Sequence, residues 1–265
     1  MPSLPVVLTI AGSDCCSGAG AQADLKTFTT LGCYGLTALT SVVAEVPAEV
    51  VSIQLLDAKM VADQVRVLVQ NFPIAAAKTG MLGAKAQVEA VIETWKPRTN
   101  APLVVDPVMV STSGSRLLEE DAMEALITQL FPLARVITPN MDEADVLLGG
   151  KITSRTDMEA GAKVLATRFG CAILLKGGHL QGEDAPDILV DGEDVSWFET
   201  QRIHGVHTHG TGCTYSAAIT AGLANGLVLK EAVSEAKAFV TQAIAQHHHW
   251  NGIDALNHSA KVQTY

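Results

Sequence analysis

The chain has 265 residues, 48% of them apolar and 17% charged, with a net charge of −10 at neutral pH. That apolar content is enough for a sheet buried on both faces, and it excludes disorder over most of the length. The acidic balance, with no Lys/Arg cluster to offset it locally, excludes non-specific binding to nucleic acid or to an anionic membrane, so an anionic ligand needs a site of its own.

Apolar runs bounded by turn residues alternate with helical patterns. A strand over Val6–Ile10 precedes a helix over Ala21–Leu31, and a strand over Leu36–Val43 precedes one over Lys59–Asn71. Ala75–Lys78 leads into a helix over Ala84–Trp95, Leu103–Val105 into Glu119–Leu130, and Val136–Thr138 into Met141–Leu148. A helix over Asp157–Phe169 is followed by strands Ala172–Leu175 and Ile188–Val190, then by helices Cys213–Asn225 and Lys230–His247. This is the rhythm of βαβ units and predicts one α/β domain over residues 1–265, a doubly wound layer sandwich with a mainly parallel sheet. Ligands in such sheets sit beyond the C-terminal strand ends. The segments Ala11–Gly20, Asp106–Gly114, Pro139–Glu143 and Lys176–His179 all fall there.

The first five residues lack the basic start and apolar core of a secretory signal, and no apolar run approaches the roughly 20 residues that span a bilayer. A cytoplasmic location is expected. Five cysteines (Cys15, Cys16, Cys33, Cys171, Cys213) without CxxC spacing point to reduced thiols rather than to disulfides or a structural zinc site. The run His247–His249 is expected to cap or solvate a helix end, because consecutive helical positions point in different directions.

The most informative loop is Thr208-His209-Gly210-Thr211-Gly212-Cys213-Thr214, which runs straight into an apolar helix. Two glycines let the backbone turn closely around a ligand, and a helix start offers N–H groups and a positive dipole end, together an anion hole suited to a phosphoryl group in transfer. Cys213 stands beside that hole, where the dipole is expected to lower its thiol pKa and fit it to accept a hydroxyl proton. Spacing alone equally allows a turn before a core helix with Cys213 inert. Gly18, Gly20 and Ala23 match GxGxxA after a strand, with Glu45 placed as a ribose-binding acid, so a dinucleotide oxidoreductase is a rival. Six residues separate Gly12 from Gly18, however, whereas that fingerprint turns immediately after the strand. Asp106, Asn140 and Glu143 at strand ends and a helix start are oxygen donors for Mg²⁺ or, alternatively, helix caps. Lys176, opening Gly177-Gly178-His179, is placed to reach nucleotide phosphates.

In this order the blocks LTIAGSD, GAGAQADLKTF, AAKTGML, VVDPVMVSTSG, VITPNMDEADVLLG, LLKGGH and THGTGCTYSAA resemble the hydroxymethylpyrimidine/phosphomethylpyrimidine kinases of the ribokinase-like superfamily over nearly the whole chain. The resemblance implies a three-layer sandwich with a central parallel sheet, a homodimer, and ATP with Mg²⁺ as cofactors. It implies phosphorylation of the hydroxymethyl group of a small pyrimidine and, in bifunctional members, of its monophosphate. Vitamin B6 kinases of the same branch, and a catalytically silent binding homologue, are the alternatives. By position it implies Cys213 as base and Gly210, Thr211 and Gly212 as anion hole. Gly12, Asp14, Glu45, Met81 and Val108 fall on the substrate side, Lys176, Thr208 and Asn140 on the nucleotide side, and Asp106 and Glu143 on the metal. Two departures stand out. The family loop AGSDSSGGAG reads here with Cys15, Cys16 and Ser17, and Ser17 replaces a glycine. The family VAQNT reads here Val43-Ala44-Glu45-Val46-Pro47, so an acceptor-only carboxylate replaces an amide that both donates and accepts toward an aminopyrimidine.

Overall fold

A computed structural model describes residues 3–96, 100–109, 118–206 and 209–260. Strands β1 (Val6–Asp14), β2 (Tyr34–Val46), β3 (Glu49–Leu55), β4 (Ile74–Thr79), β5 (Leu103–Val105), β6 (Val136–Ile137), β7 (Ala172–Lys176), β8 (Asp187–Asp191) and β9 (Asp194–Phe198) form one sheet. Their order is β3-β2-β1-β4-β5-β6-β7-β8-β9. From β2 through β7 neighbouring strands are parallel, while β3 and β8 run antiparallel to their inner neighbours and β9 to β8. The chain leaves β1 toward β2 on one side and resumes at β4 on the other, which opens a crevice at the C-terminal ends of β1 and β4.

The helices are α1 (Gly20–Thr30), α2 (Ala58–Asn71), α3 (Lys85–Trp95), α4 (Glu120–Ala125), α5 (Met141–Leu148), α6 (Arg155–Phe169), α7 (Thr211–Ala224) and α8 (Leu229–Ala245). Strand alternation divides them between two layers. Leu8, Ile10, Leu103 and Val105 pack with Val61, Val88, Leu147 and Leu165 of α2, α3, α5 and α6. The intervening Val104 packs with Tyr215, Ile219 and Phe239 of α7 and α8, and Val7 with Phe28 of α1 and Ala217 of α7. Helix α7 is buried from Thr214 to Gly222, so its start is fixed by the packing of its body.

The layered α/β architecture and its mainly parallel sheet agree with the sequence-based expectation. The differences lie at the edges. β3 and β9 were not predicted, because β3 is exposed on both faces and carries no burial period. The helix expected over Glu119–Leu130 is α4 followed by a π-turn at Leu126–Leu130 and a 3-10 turn at Phe131–Leu133 that contains Pro132. The histidine run does not extend α8. His248–Trp250 is a strand paired with Ile253–Ala255, and His249 Nδ1 lies 2.6 Å from Asp254 Oδ1. Among the described residues no helix is long and apolar enough to cross a membrane.

Ser17, which stands where the family loop has glycine, has φ of 61°, in the left-handed region. The strain is held by its N–H to Asp14 O at 3.0 Å and by Lys26 Nζ on its carbonyl at 2.8 Å. The left-handed conformation costs a residue with a Cβ about 1–2 kcal/mol, from which the extra unfolded-state freedom of glycine subtracts part. Ser17→Gly should therefore raise stability by about 0.5–1 kcal/mol. The check is urea unfolding, with a higher midpoint at unchanged slope expected and an unchanged or lower midpoint contradicting the strain.

Candidate active site

The start of α7 is set by a backbone contact. Gly210, its N-cap, has φ of 79°, and a Cβ there would overlap the carbonyl oxygen of Gly18. Only glycine permits both, so the loop before α7 lies directly on the loop after β1. The positive end of the α7 dipole then opens on a cleft of about 600 Å³, lined by Gly210, Thr211, Gly212, Lys176, Asn140 and Glu143 among others.

Lys176 ends β7 beside this helix start. Its Nζ donates to Asp106 Oδ1 at 3.1 Å, and a Cβ on Gly212 would come within 3.3 Å of the ammonium and 3.7 Å of Asp106 Oδ2. Asp106, at the end of β5, also accepts from Thr138 Oγ1 at 3.1 Å and Ser216 Oγ at 3.3 Å. Burial alone would raise its pKa; the charges of Lys176 and Lys78 outweigh that and hold it low. Burial would likewise depress Lys176, but Asp106 and Glu143 keep its pKa above the ordinary lysine value. Glu143 is pushed up to about 7 by burial, with Asp106 adding to the rise and Lys176 opposing it.

Asn140 and Glu143 form a reciprocal capping box at the start of α5. Glu143 N donates to Asn140 Oδ1 and Asn140 N to Glu143 Oε2, both at 2.8 Å. The helix-cap alternative is thus realised at both positions, while both residues also border the cleft.

On the other side of the α7 start lie the residues assigned to the ring. A side chain at Gly12 would meet Ser41 Oγ and Met81 Sδ, which places Met81 against the end of β1. Val108 N–H donates to Asp106 O at 2.9 Å, in the loop after β5. Glu45 is half-buried near the end of β2, its N–H and carbonyl each 3.3 Å from Cys15 Sγ. Burial raises its pKa, the charge of Asp14 adds to the rise, and His209 opposes it.

One expectation needs correction. Cys213 is not activated by the helix dipole. Burial pushes its thiol up to about 11, with Lys78 and the N–H of Gly20 lowering it and Asp24 and Asp106 raising it. Asp14, expected on the substrate side, turns its carboxylate onto its own loop. Its Oδ1 accepts from Cys16 N at 2.7 Å, and its Oδ2 from Gly18 N at 3.0 Å, Ala19 N at 2.8 Å and Cys16 Sγ at 3.2 Å, with His209 Nε2 3.2 Å away. Burial would raise Asp14, but the bonds from His209, Cys16 and Ala19 prevail and lower it to about 2. Its carboxylate organises the loop. Thr208 lies outside the described residues.

Sequence reasoning missed the charges beneath the site. Lys78 of β4 and Asp24 of α1 form a fully buried pair at 2.7 Å, and Thr9 Oγ1 donates to the same carboxylate at 2.6 Å. A lysine inside the apolar run Ala75-Ala76-Ala77-Lys78 was the available signal. Arg202 had no such signal. Its guanidinium donates to the carbonyls of Gly178, Leu180, Gly182 and Asp184 and so shapes the loop after β7.

The sequence profile of the phosphomethylpyrimidine kinase family matches residues 14–257. The chain is 46% identical over 242 residues to a hydroxymethylpyrimidine/phosphomethylpyrimidine kinase of Streptomyces coelicolor, covering 91% of this chain and 88% of that one. Its fold superimposes on an ADP complex of Bacillus subtilis pyridoxal kinase with a TM-score of 0.90 at 40% identity, over 97% and 98% of the two chains. A phosphomethylpyrimidine kinase from Clostridium difficile gives a TM-score of 0.80 at 39% identity, over 91% of this chain and 100% of that one. With a family profile that matches residues 14–257 and a relative 46% identical over 91% of the chain, the chain belongs to the phosphomethylpyrimidine kinase family.

Proposed function

We propose that the chain uses ATP to phosphorylate the hydroxymethyl group of 4-amino-5-hydroxymethyl-2-methylpyrimidine, and then the resulting monophosphate, in thiamine biosynthesis. The observation that carries this reading is the glycine-bounded start of α7, with Lys176 packed beside Gly212, between a nucleotide-sized cleft and the Gly12/Met81 corner. Phosphoryl transfer needs positioning and stabilisation of spread negative charge more than covalent chemistry. The backbone N–H groups of Gly210, Thr211 and Gly212 and the Lys176 ammonium supply the positive potential that stabilises it. The new bond joins the hydroxymethyl oxygen to the γ-phosphorus as the bond to ADP breaks.

Asp106, Glu143 and Asn140 are all oxygen donors, and the Asp106–Lys176 pair leaves Asp106 better suited to a hydrated cation than to a naked one. Asp106 and Glu143 would hold Mg²⁺, which would supply positive charge to the nucleotide phosphates. A cation there would also keep Glu143, with its pKa of about 7, ionised at neutral pH. Asn140 and Thr208 complete the nucleotide side in this reading. A homodimer is supported by the β2–β3 ribbon, which exposes Val42, Val46, Val51 and Ile53.

Cys213 takes the hydroxyl proton as thiolate. Because its pKa stands at about 11, the thiolate fraction grows with pH throughout the range below that value. We therefore expect kcat to rise between pH 7 and 9 in the native protein. Cys213→Ala should lower kcat at least about 100-fold and abolish the slope, with ATP binding nearly intact. Unchanged turnover would remove Cys213 from this role. The B6-kinase reading is favoured at one point, the closer superposition on pyridoxal kinase. ATP consumption measured against the pyrimidine, its monophosphate and pyridoxal separates the two. Highest kcat/KM with the pyrimidines is expected, preference for pyridoxal supports the second reading, and no turnover with any contradicts both.

Glu45 makes the pyrimidine site pH-sensitive. One proton must be shared between the carboxyl and the ring for a two-bond pair, whether it resides on a raised-pKa Glu45 or on the aminopyrimidine. Either way binding takes up a proton, so KM for the pyrimidine rises as pH increases. Glu45→Gln donates and accepts without a proton, and its KM should lose that dependence. A pH-independent KM in both proteins contradicts the pairing.

A further inference from the structure

We propose that Asp14, Cys16 and His209 form a binding site for a thiophilic divalent cation of the zinc class, clasping the loop after β1 to the loop before α7. Asp14 Oδ2 lies 3.2 Å from Cys16 Sγ and 3.2 Å from His209 Nε2, and the three ligand atoms fall within 4.8 Å of one another. A tetrahedral site with bonds of about 2.0–2.3 Å has edges of roughly 3.3–3.6 Å between ligand atoms. Two of the three edges are therefore already close to the length a metal requires. The third, between sulfur and imidazole, closes by rotation of Cys16, which is exposed.

The ligand chemistry agrees. One carboxylate oxygen, one sulfur and one imidazole nitrogen make a mixed set that suits zinc better than magnesium, whose preference is for oxygen alone. The carboxylate is oriented before any cation arrives: Cys16 N donates to Oδ1, Gly18 and Ala19 N to the ligating Oδ2, and a cation would take the side of Oδ2 that the Cys16 thiol and His209 now occupy. On binding, the Cys16 thiol proton passes to water as the metal–sulfur bond forms. His209 presents the Nε2 lone pair with its proton on Nδ1, and water fills the fourth position. The two anionic ligands then balance the dication. Glu45, whose carboxyl feels the charges of both Asp14 and His209, adds negative potential to the same corner.

A serine at position 16 would donate to Asp14 as the thiol does, so the structural role there needs no sulfur. Because the Gly18–Gly210 contact lies between the ligands, an ion bound there would fasten the two loops whose contact shapes the α7 start.

The test uses the full, nucleotide-free chain with zinc alone, followed by equilibrium dialysis and thermal unfolding, and with cobalt as a spectroscopic probe. One ion per chain, a higher unfolding midpoint with zinc, and a thiolate-to-cobalt charge-transfer band are expected. Cys16→Ser should lower affinity at least about tenfold and lose the band, because it removes the sulfur while keeping a donor to Asp14. Cys15→Ser and His249→Ala should bind as the native chain does. Absence of a charge-transfer band in the native chain, unchanged affinity in Cys16→Ser, or loss of the ion in Cys15→Ser or His249→Ala would each overturn the site.

Discussion

The contact between Gly210 and the carbonyl of Gly18 is the constraint on which the rest of the site depends. The loop after β1 is gathered around the Asp14 carboxylate, and the loop before α7 can rest on it only because position 210 has no Cβ and accepts a left-handed φ. His209 adds a polar bond across the same junction. The contact points the start of α7, whose body is buried from Thr214 to Gly222, at the C-terminal edge of the sheet, so helix, sheet and both loops converge there. In the proposed reaction this rigidity matters because preorganised donors lower a barrier only when no reorganisation is needed as charge develops.

Beneath that junction lies an unusual density of buried charge for an enzyme interior. Lys78 pairs with Asp24, Lys176 with Asp106, and Lys237 with Asp187 at 2.6 Å. Isolated, each would be costly to bury; paired and hydrogen-bonded, they keep defined positions near the α7 start. Lys78 carries its charge toward both Cys213 and Asp106, which links the two halves of the proposed chemistry. The same surroundings explain why Cys213 is not a resting thiolate, since burial and the nearby carboxylates outweigh the lysine and the helix start. A helix N-terminus is therefore a poor guide to a thiol's ionisation when carboxylates share the pocket.

The layers of the fold were legible because strands such as β1 and β5 alternate their packing between two helix layers, and because glycines and caps mark the loop boundaries. The edge strands were not, since β3 is exposed on both faces and shows no period of burial. At the site, the glycine-flanked α7 start and Lys176 were readable as local patterns, and the strain at Ser17 followed from one substitution. What escaped were long-range partners. Asp14 reads as a ligand-facing acid in sequence, yet its carboxylate accepts from Cys16, Gly18 and Ala19 and lies against His209, far along the chain, so it organises the loop. Arg202 and the Lys78–Asp24 pair are likewise products of the folded arrangement.

The central claim is that the α7 start and Lys176 are complementary to a phosphoryl group in transfer rather than to a phosphate at rest. Binding of ADP with Mg²⁺ and fluoroaluminate, in the presence of the pyrimidine, measures this directly, because the planar fluoride complex imitates the transferring group. The native chain should hold that complex at least about 100-fold more tightly than ADP with Mg²⁺ alone. Gly212→Ala, whose new Cβ would press on Lys176, should lose most of the difference while still binding ADP. Equal affinity for ADP with and without fluoroaluminate in the native chain, or full retention of the difference in Gly212→Ala, would contradict the account.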